Sequence, residues 1–330
     1  MISLKPLRIV SYSVWPVVGV AAILARCINA RTSHSCRCLW RFSGYGNGTH
    51  FDEDINWTES PIEAEAVLRE ADLVIIHNGE IEQRHLPLLT GKAIITMAHN
   101  IMNPVEHDFV KQGFPGIVVG QSWATLPEFQ GWLAVPNPIP LWEEPFQPGE
   151  KGECVTICYT PAVKHDYYPS DHPYYLYSKG YESTMRILDK LAAQFSLHLE
   201  VIRDHQLPHA QVLEQKRRAH IVIDECVTGS YHRNSLEGLA AGCVVVNGVG
   251  MSPGVIDTLR YCAGGEPSNP FVFASLEVLE GVLTSLIQRG PDSLAEEGKQ
   301  NRLWMEQHWD FAWQWERFWL PVINKAMNAS

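Results

Sequence analysis

Residues 220–248 constrain the fold of this chain more than any other stretch. His220 to Glu225 is a β-branched, apolar run that reads as a strand. A polar loop follows, then a short helix from roughly Asn234 to Ala241, a terminating Gly242, and a second apolar strand over Cys243 to Val246. Continuous β-branched runs of this kind are what parallel strands covered on both faces require. The loop is rich in groups that bind anions. Arg233 supplies a charged fork and His232 a titratable donor, while Asn234 or Ser235 can cap a helix whose first N–H groups point into the loop. A phosphate-sized pocket and an ordinary αβ unit of a doubly wound sheet both fit this pattern.

The αβ theme recurs on both sides of that stretch. Leu7 to Tyr12 is a strand, Trp15 to Gly19 a turn, and Val20 to Asn29 a helix. Cys36 to Phe42 is a second strand, followed by a loop with Gly44, Gly46 and Gly48. Ser60, Pro61 and Glu63 predict a helix start closed by a capping box. Leu73 to His77 and Ala93 to Met97 are further strands, which place His77 and His99 at carboxyl ends, where open α/β sheets bind ligands. Asp52-Glu53-Asp54 clusters carboxylates, yet nothing pairs with it in a metal-loop spacing, so it reads as a solvated loop.

Leu133 to Glu150 is proline-rich and forbids a helix, which marks an interdomain connection. Beyond it, Cys154 to Tyr159 is a strand, and the loop Thr160 to Tyr177, with five tyrosines besides Lys164, His165 and His172, is long enough to be functional. Lys179-Gly180 opens a helix with Met185, Leu188, Leu191 and Ala192 at helical spacing. His198 to Arg203 is a strand, Asp204 to Leu207 a loop, and Pro208 to Arg218 a helix. The chain ends in an aromatic helix, about Leu294 to Ile323, with Trp304, Trp309, Trp313, Trp315 and Trp319. Its flanks are acidic rather than basic, which favours interdomain packing over membrane docking.

At 330 residues the chain predicts about two domains. A net charge of -11 argues against a general binder of nucleic acid or anionic membrane, and an anionic substrate then needs a local basic cluster. The eight cysteines lie mostly in apolar runs without CxxC pairs, so they read as buried reduced thiols, with no metal site. Val14 to Ala25 is too short and too interrupted to span a bilayer, and Arg26 spoils a signal cleavage site; the expected location is cytoplasmic.

Ser235-Leu236-Glu237-Gly238-Leu239-Ala240-Ala241-Gly242-Cys243-Val244-Val245 resembles the donor-nucleotide segment of GT-B glycosyltransferases of the retaining family 4 (glycosyl transferases group 1) type. Glu237 matches that family's ribose-binding glutamate, whereas the acid usually found eight positions earlier is Gly229 here. Lys179-Gly180 resembles the Lys-Gly whose lysine neutralises the donor phosphates, the family's arginine ahead of it being absent, with Lys164 or Arg233 as the stand-ins. Lys92 to His99 resembles the strand ending in a cleft histidine that contacts the donor sugar, and the loop at Gly19 corresponds to one near donor phosphate and acceptor.

The resemblance implies an α/β GT-B fold: two doubly wound Rossmann-like domains facing a central cleft, with a last helix crossing back to the first. The expected bounds are 1–145 for an acceptor-side domain, 146–305 for a nucleotide-sugar domain and 306–330 for the returning helix. The implied activity is transfer of a sugar from a nucleotide-diphosphate donor to an acceptor hydroxyl, retaining and metal-independent, with no cofactor. His99 and Glu237 are the expected catalytic residues, and Gly19, Lys179, His232, Arg233, Asn234, Ser235 and Glu237 the expected nucleotide-sugar contacts. The acceptor is a glycan, lipid, protein or small molecule, with no nucleic-acid partner. The alternatives are a nucleotide-sugar 2-epimerase and a non-catalytic nucleotide-sugar-binding protein.

Overall fold

The structure is a computed structural model that describes residues 5–14, 19–41, 51–99, 108–161, 179–203, 207–265 and 268–329. The turn at 15–18, the glycine loop at 43–49, most of the tyrosine-rich loop at 160–177 and the loop at 204–206 therefore lie outside the described residues. The chain divides into two compact units: Met1–Pro140 together with Trp309–Ser330, and Leu141–His308.

The first unit contains β1 (Arg8–Ser13), α1 (Val20–Arg31), β2 (Ser35–Trp40), β3 (Ile55–Asn56), α2 (Pro61–Glu70), β4 (Leu73–His77), β5 (Ala93–Ala98), α3 (Asp108–Lys111), β6 (Gly116–Val119) and β7 (Leu133–Val135). Its seven strands are all parallel, in the order β3-β2-β1-β4-β5-β6-β7. The order reverses between β1 and β4, and that reversal creates a crevice at the carboxyl ends of these two strands. β1 beyond Arg8, β4 and β5 are buried on both faces, in keeping with their largely apolar sequences. Ser60 is the N-cap residue of α2 and Pro61 opens the helix, but no side-chain capping bond forms, so the expected capping box is absent. The proline start, whose missing N–H needs no partner, is enough to fix this end.

The second unit contains β8 (Val155–Tyr159), α4 (Tyr181–Gln194), β9 (Leu197–Val201), α5 (His209–Arg218), β10 (Ile221–Ile223), α6 (Arg233–Ala240), β11 (Val244–Asn247), α7 (Pro253–Cys262), β12 (Phe271–Phe273), α8 (Leu279–Gln288) and α9 (Gly290–His308). Its five parallel strands run β12-β11-β10-β8-β9, with the reversal between β8 and β10. A core of Ile157, Leu188, Ile221, Val244 and Leu283 joins the sheet to its helices. Gly238 lets α6 lie close on this sheet: a Cβ there would stand 2.9 Å from Val245 and 3.1 Å from Val222.

The expected single aromatic helix is broken after His308. α9 ends at His308, and α10 (Phe311–Gln314) restarts with Asp310 as a true N-cap, its side chain accepting from the N–H of Ala312. A π turn over Trp315–Trp319 leads into α11 (Leu320–Ala329). Pro321 explains the π turn, because it has no N–H to return to the carbonyl one turn earlier and its ring crowds that carbonyl. Trp309, Trp315 and Trp319 are buried within the first unit, and Trp309 Nε1 donates to the carbonyl of Asn137 at 2.9 Å. Trp304 belongs to the second unit.

All eight cysteines are free, and seven are buried as expected; Cys154 is exposed. Among the described residues no helix is long and apolar enough to cross a membrane.

Candidate functional site

Both units place titratable side chains at their own sheet reversals. In the second unit the centre is Asp224, one residue past β10 and fully enclosed. Its Oδ2 accepts from the His232 N–H at 2.8 Å and from Ser235 Oγ at 2.7 Å, and lies 3.1 Å from His232 Nδ1. The Asn234 amide reaches Oδ1 at 3.4 Å. Burial pushes the Asp224 carboxyl up, but His232, Lys179 and the Ser235 hydroxyl outweigh it and hold the group below the usual carboxylate range. Lys179, His232, Asn234 and Ser235 are therefore brought together around one carboxylate. Across the reversal, Thr160 Oγ1 at the end of β8 donates to Asn234 Oδ1 at 2.8 Å.

The backbone that presents these groups is specialised. Lys179 is a non-glycine residue in the left-handed region, with φ 50°, and Gly180 after it has φ 71°. A Cβ on Gly180 would come within 2.7 Å of Val227. Strain of this sort concentrates where a side chain must be held in one place. Glu225 ties the following loop to itself, accepting from the N–H groups of Val227 and Thr228 at 2.8 and 2.7 Å. Gly229 has φ 72°, and a side chain there would meet Ser252 at 3.3 Å, so the position favours glycine on conformational grounds. α6 begins with His232 in the N-cap place without a side-chain cap; Asn234 and Ser235 turn to Asp224 instead.

Arg233 and Glu237 belong to a second cluster on the same helix. Arg233 Nε donates to Glu237 Oε1 at 2.7 Å, one turn along, and Lys216 Nζ donates to Oε2 at 2.5 Å. His209 Nε2 lies 2.8 Å from Oε1 and 2.9 Å from the Arg233 guanidinium. Burial opposes ionisation of Glu237, and Lys216, Arg233 and His209 overcome it, keeping the carboxyl well below its usual range. Burial pushes His209 down, which keeps it neutral at pH 7. Asp224, His209 and Lys216 escaped the sequence reading. An acid directly after an apolar strand was the available signal for Asp224, whereas nothing in a basic surface helix announces that Lys216 turns inward.

In the first unit, His99 and His77 meet. His99 Nε2 lies 2.7 Å from His77 Nδ1, and His77 Nε2 lies 2.8 Å from Ser11 Oγ on β1. Burial pushes both imidazoles down, so both are neutral at pH 7. Gly19 precedes α1 with φ 71°, in the connection from β1 to that helix. Asp54, expected to be a plainly solvated carboxylate, is partly buried, and burial pushes its pKa up to about 7.

No family model matches the sequence, and no curated protein does. Solved structures do share its architecture. An α-glucosyltransferase in complex with UDP-glucose and DNA containing an abasic site superposes with a TM-score of 0.63 at 10% identity, covering 96% of this chain and 100% of that one. An O-GlcNAc transferase mutant from Thermobaculum terrenum gives 0.53 at 15%, covering 98% and 69%. Sucrose-phosphate synthase from Thermosynechococcus elongatus gives 0.52 at 12%, covering 96% and 99%. The chain thus has the GT-B fold of glycosyltransferases, with two Rossmann-like parallel-sheet units. One expectation is corrected. The exclusion of nucleic acid does not stand, because a structural neighbour over the whole chain is a complex with DNA. Net charge sums over the entire molecule, whereas a polyanion responds to the local field of one face.

Proposed function

We propose that this protein is a glycosyltransferase that moves a sugar from a nucleotide-diphosphate donor to an acceptor hydroxyl. The observation that carries the proposal is the convergence of Lys179, His232, Asn234 and Ser235 at the reversal of the second sheet, beyond the carboxyl ends of the paired strands β8 and β10. This is the place in a doubly wound sheet where nucleotides bind, and the start of α6 adds its N–H groups to the same spot. As the bond to the donor sugar breaks, negative charge grows on the leaving diphosphate. Lys179 and His232 stabilise that charge from fixed positions, with Asp224 orienting His232 through Nδ1.

Glu237 supports the site from below. Arg233 and Lys216 donate to it and the His209 imidazole lies against Oε1, so a ribose hydroxyl reaching it takes one of the acceptor positions that remain. Its ionised carboxylate also pulls the Arg233 guanidinium back along α6. The reaction needs no metal in this scheme, because side-chain cations and helix N–H groups carry the electrostatic load. Retention of configuration, as in the family 4 type, completes the proposal.

The test is a thermal-shift panel of UDP-, GDP-, ADP-, CMP- and dTDP-sugars, in which a binding donor raises the melting temperature by mass action; saturation at 100 times Kd corresponds to about 2.7 kcal/mol. Lys179→Ala and His232→Ala are expected to weaken the responding donor, and undiminished binding in the pair of changes together removes the proposed site. Gly229 favours a second reading, since the conformation there disfavours the family's acid. Binding of a donor without transfer to any acceptor supports a nucleotide-sugar-binding protein, and epimerised sugar supports a 2-epimerase.

A further inference from the structure

The histidines of the first unit form a chain whose protons can be placed. Ser11 Oγ lies 2.9 Å from the carbonyl oxygen of Ala21, and a carbonyl cannot donate, so the hydroxyl proton points to Ala21. The Ser11 oxygen is then an acceptor towards His77, 2.8 Å away, and the proton in that contact belongs to His77 Nε2. His77 is neutral, because it is buried and its pKa is pushed well down, so its Nδ1 carries a lone pair. The 2.7 Å contact between His77 Nδ1 and His99 Nε2 therefore needs the proton on His99 Nε2. His99, also neutral, is left with a lone pair on Nδ1. Its backbone is pinned too: the His99 N–H donates to Asn78 Oδ1 at 2.8 Å, and Asn78 holds the left-handed conformation, φ 59°.

We propose that Ser11 and His77 are positioning residues that lock His99 into the tautomer protonated at Nε2, so that Nδ1 accepts a hydrogen bond from a hydroxyl. The relay crosses the reversal of the first sheet, from β1 through the end of β4 to the end of β5. A ligand oxygen that can only accept, such as a phosphate oxygen, finds no donor at this atom, whereas a sugar or acceptor hydroxyl can donate its proton to the Nδ1 lone pair. Among the described residues no hydrogen bond engages Nδ1. The assignment of a hydroxyl partner rests on the proposed transferase function; the tautomer itself does not.

The experiment is two-bond proton–nitrogen correlation NMR on the full chain labelled with nitrogen-15 histidine, at pH 7.5, with His77→Gln and His99→Gln used only to assign the two spin systems. Both histidines are expected to be neutral and protonated at Nε2. Removing the acceptor with Ser11→Ala frees His77 to carry its proton on either nitrogen, and the His99 tautomer ratio is expected to fall about tenfold, the factor given by a lost hydrogen bond of about 1.4 kcal/mol. His99 protonated at Nδ1 or doubly protonated in the unmodified chain overturns the proposal, and so does a ratio unchanged by Ser11→Ala. The first measurement needs no variant to fold. Absence of nucleotide-sugar binding with the expected tautomers present counts against the proposed function and leaves the relay standing.

Discussion

Replacing Glu237 with glutamine separates its charge from its shape. The side chain is 5% exposed, and the cations it holds, Lys216 and Arg233, are 2% and 6% exposed. Glutamine keeps the volume and one carbonyl acceptor but leaves two enclosed cations facing a neutral amide. Removing one partner of a buried pair costs about 3–5 kcal/mol. Taking about 3 kcal/mol, at about 2–4 °C per kcal/mol for a domain of this size, the melting temperature is expected to drop by about 6–12 °C. Differential scanning calorimetry at pH 7.5 measures the shift. Changing Lys216 to methionine in the same chain removes one stranded charge, and the double variant is expected to recover at least about 1 kcal/mol. The sign of the pH dependence follows from the lowered carboxyl: its contribution is complete above about pH 4.5, the unfolded value, and is lost only as pH falls through the lower folded value. The gap between Glu237→Gln and the unmodified chain is therefore flat from pH 5 to 8. A loss below about 1 kcal/mol, or a gap that widens into acid, refutes the reasoning.

Asp54 behaves in the opposite sense: its raised pKa makes the folded state favour the protonated acid, so stability is lost as pH rises from about 4 towards 7. Asp54→Asn is expected to melt above the unmodified chain at pH 8 and level with it near pH 4, and a pH-independent difference contradicts this. Installing the family's acid by Gly229→Glu forces a side chain into φ 72°, and a loss of about 1–2 kcal/mol is expected in urea melts. Gly298→Ala drives a Cβ into the Gly242 carbonyl oxygen, so α9 must move; a destabilisation of about 1–3 kcal/mol or more by thermal melting is the expected outcome.

Much of the architecture was legible in the residues. The apolar runs at Leu73 to His77, Ala93 to Ala98 and Val244 to Asn247 are parallel strands because only a strand covered on both faces tolerates them. The placement of His232, Asn234 and Ser235 in one loop followed from the same logic, since strand ends and helix starts alternate in a βαβ series, whereas Lys179 was expected beside them only through the resemblance of Lys179-Gly180 to the family's Lys-Gly. Local signals failed at two helix starts. Ser60 predicted a capping bond that does not form, and Asn234 and Ser235 turned from capping α6 to Asp224.

The sequence by itself determined the αβ alternation, the two-unit scale and the identity of the polar groups at the strand ends, because periodicity and turn chemistry act over a few residues. Tertiary structure alone decided which of those groups face one another. The pairing of Lys216 with Glu237 spans 21 residues and that of Ser11 with His77 spans 66. No local pattern reports such pairs, since strand order sets them and strand order is chosen by the burial of whole faces. Their surroundings then fixed their protonation: the neighbouring cations hold Glu237 charged against the cost of burial, and burial leaves His77 and His99 neutral.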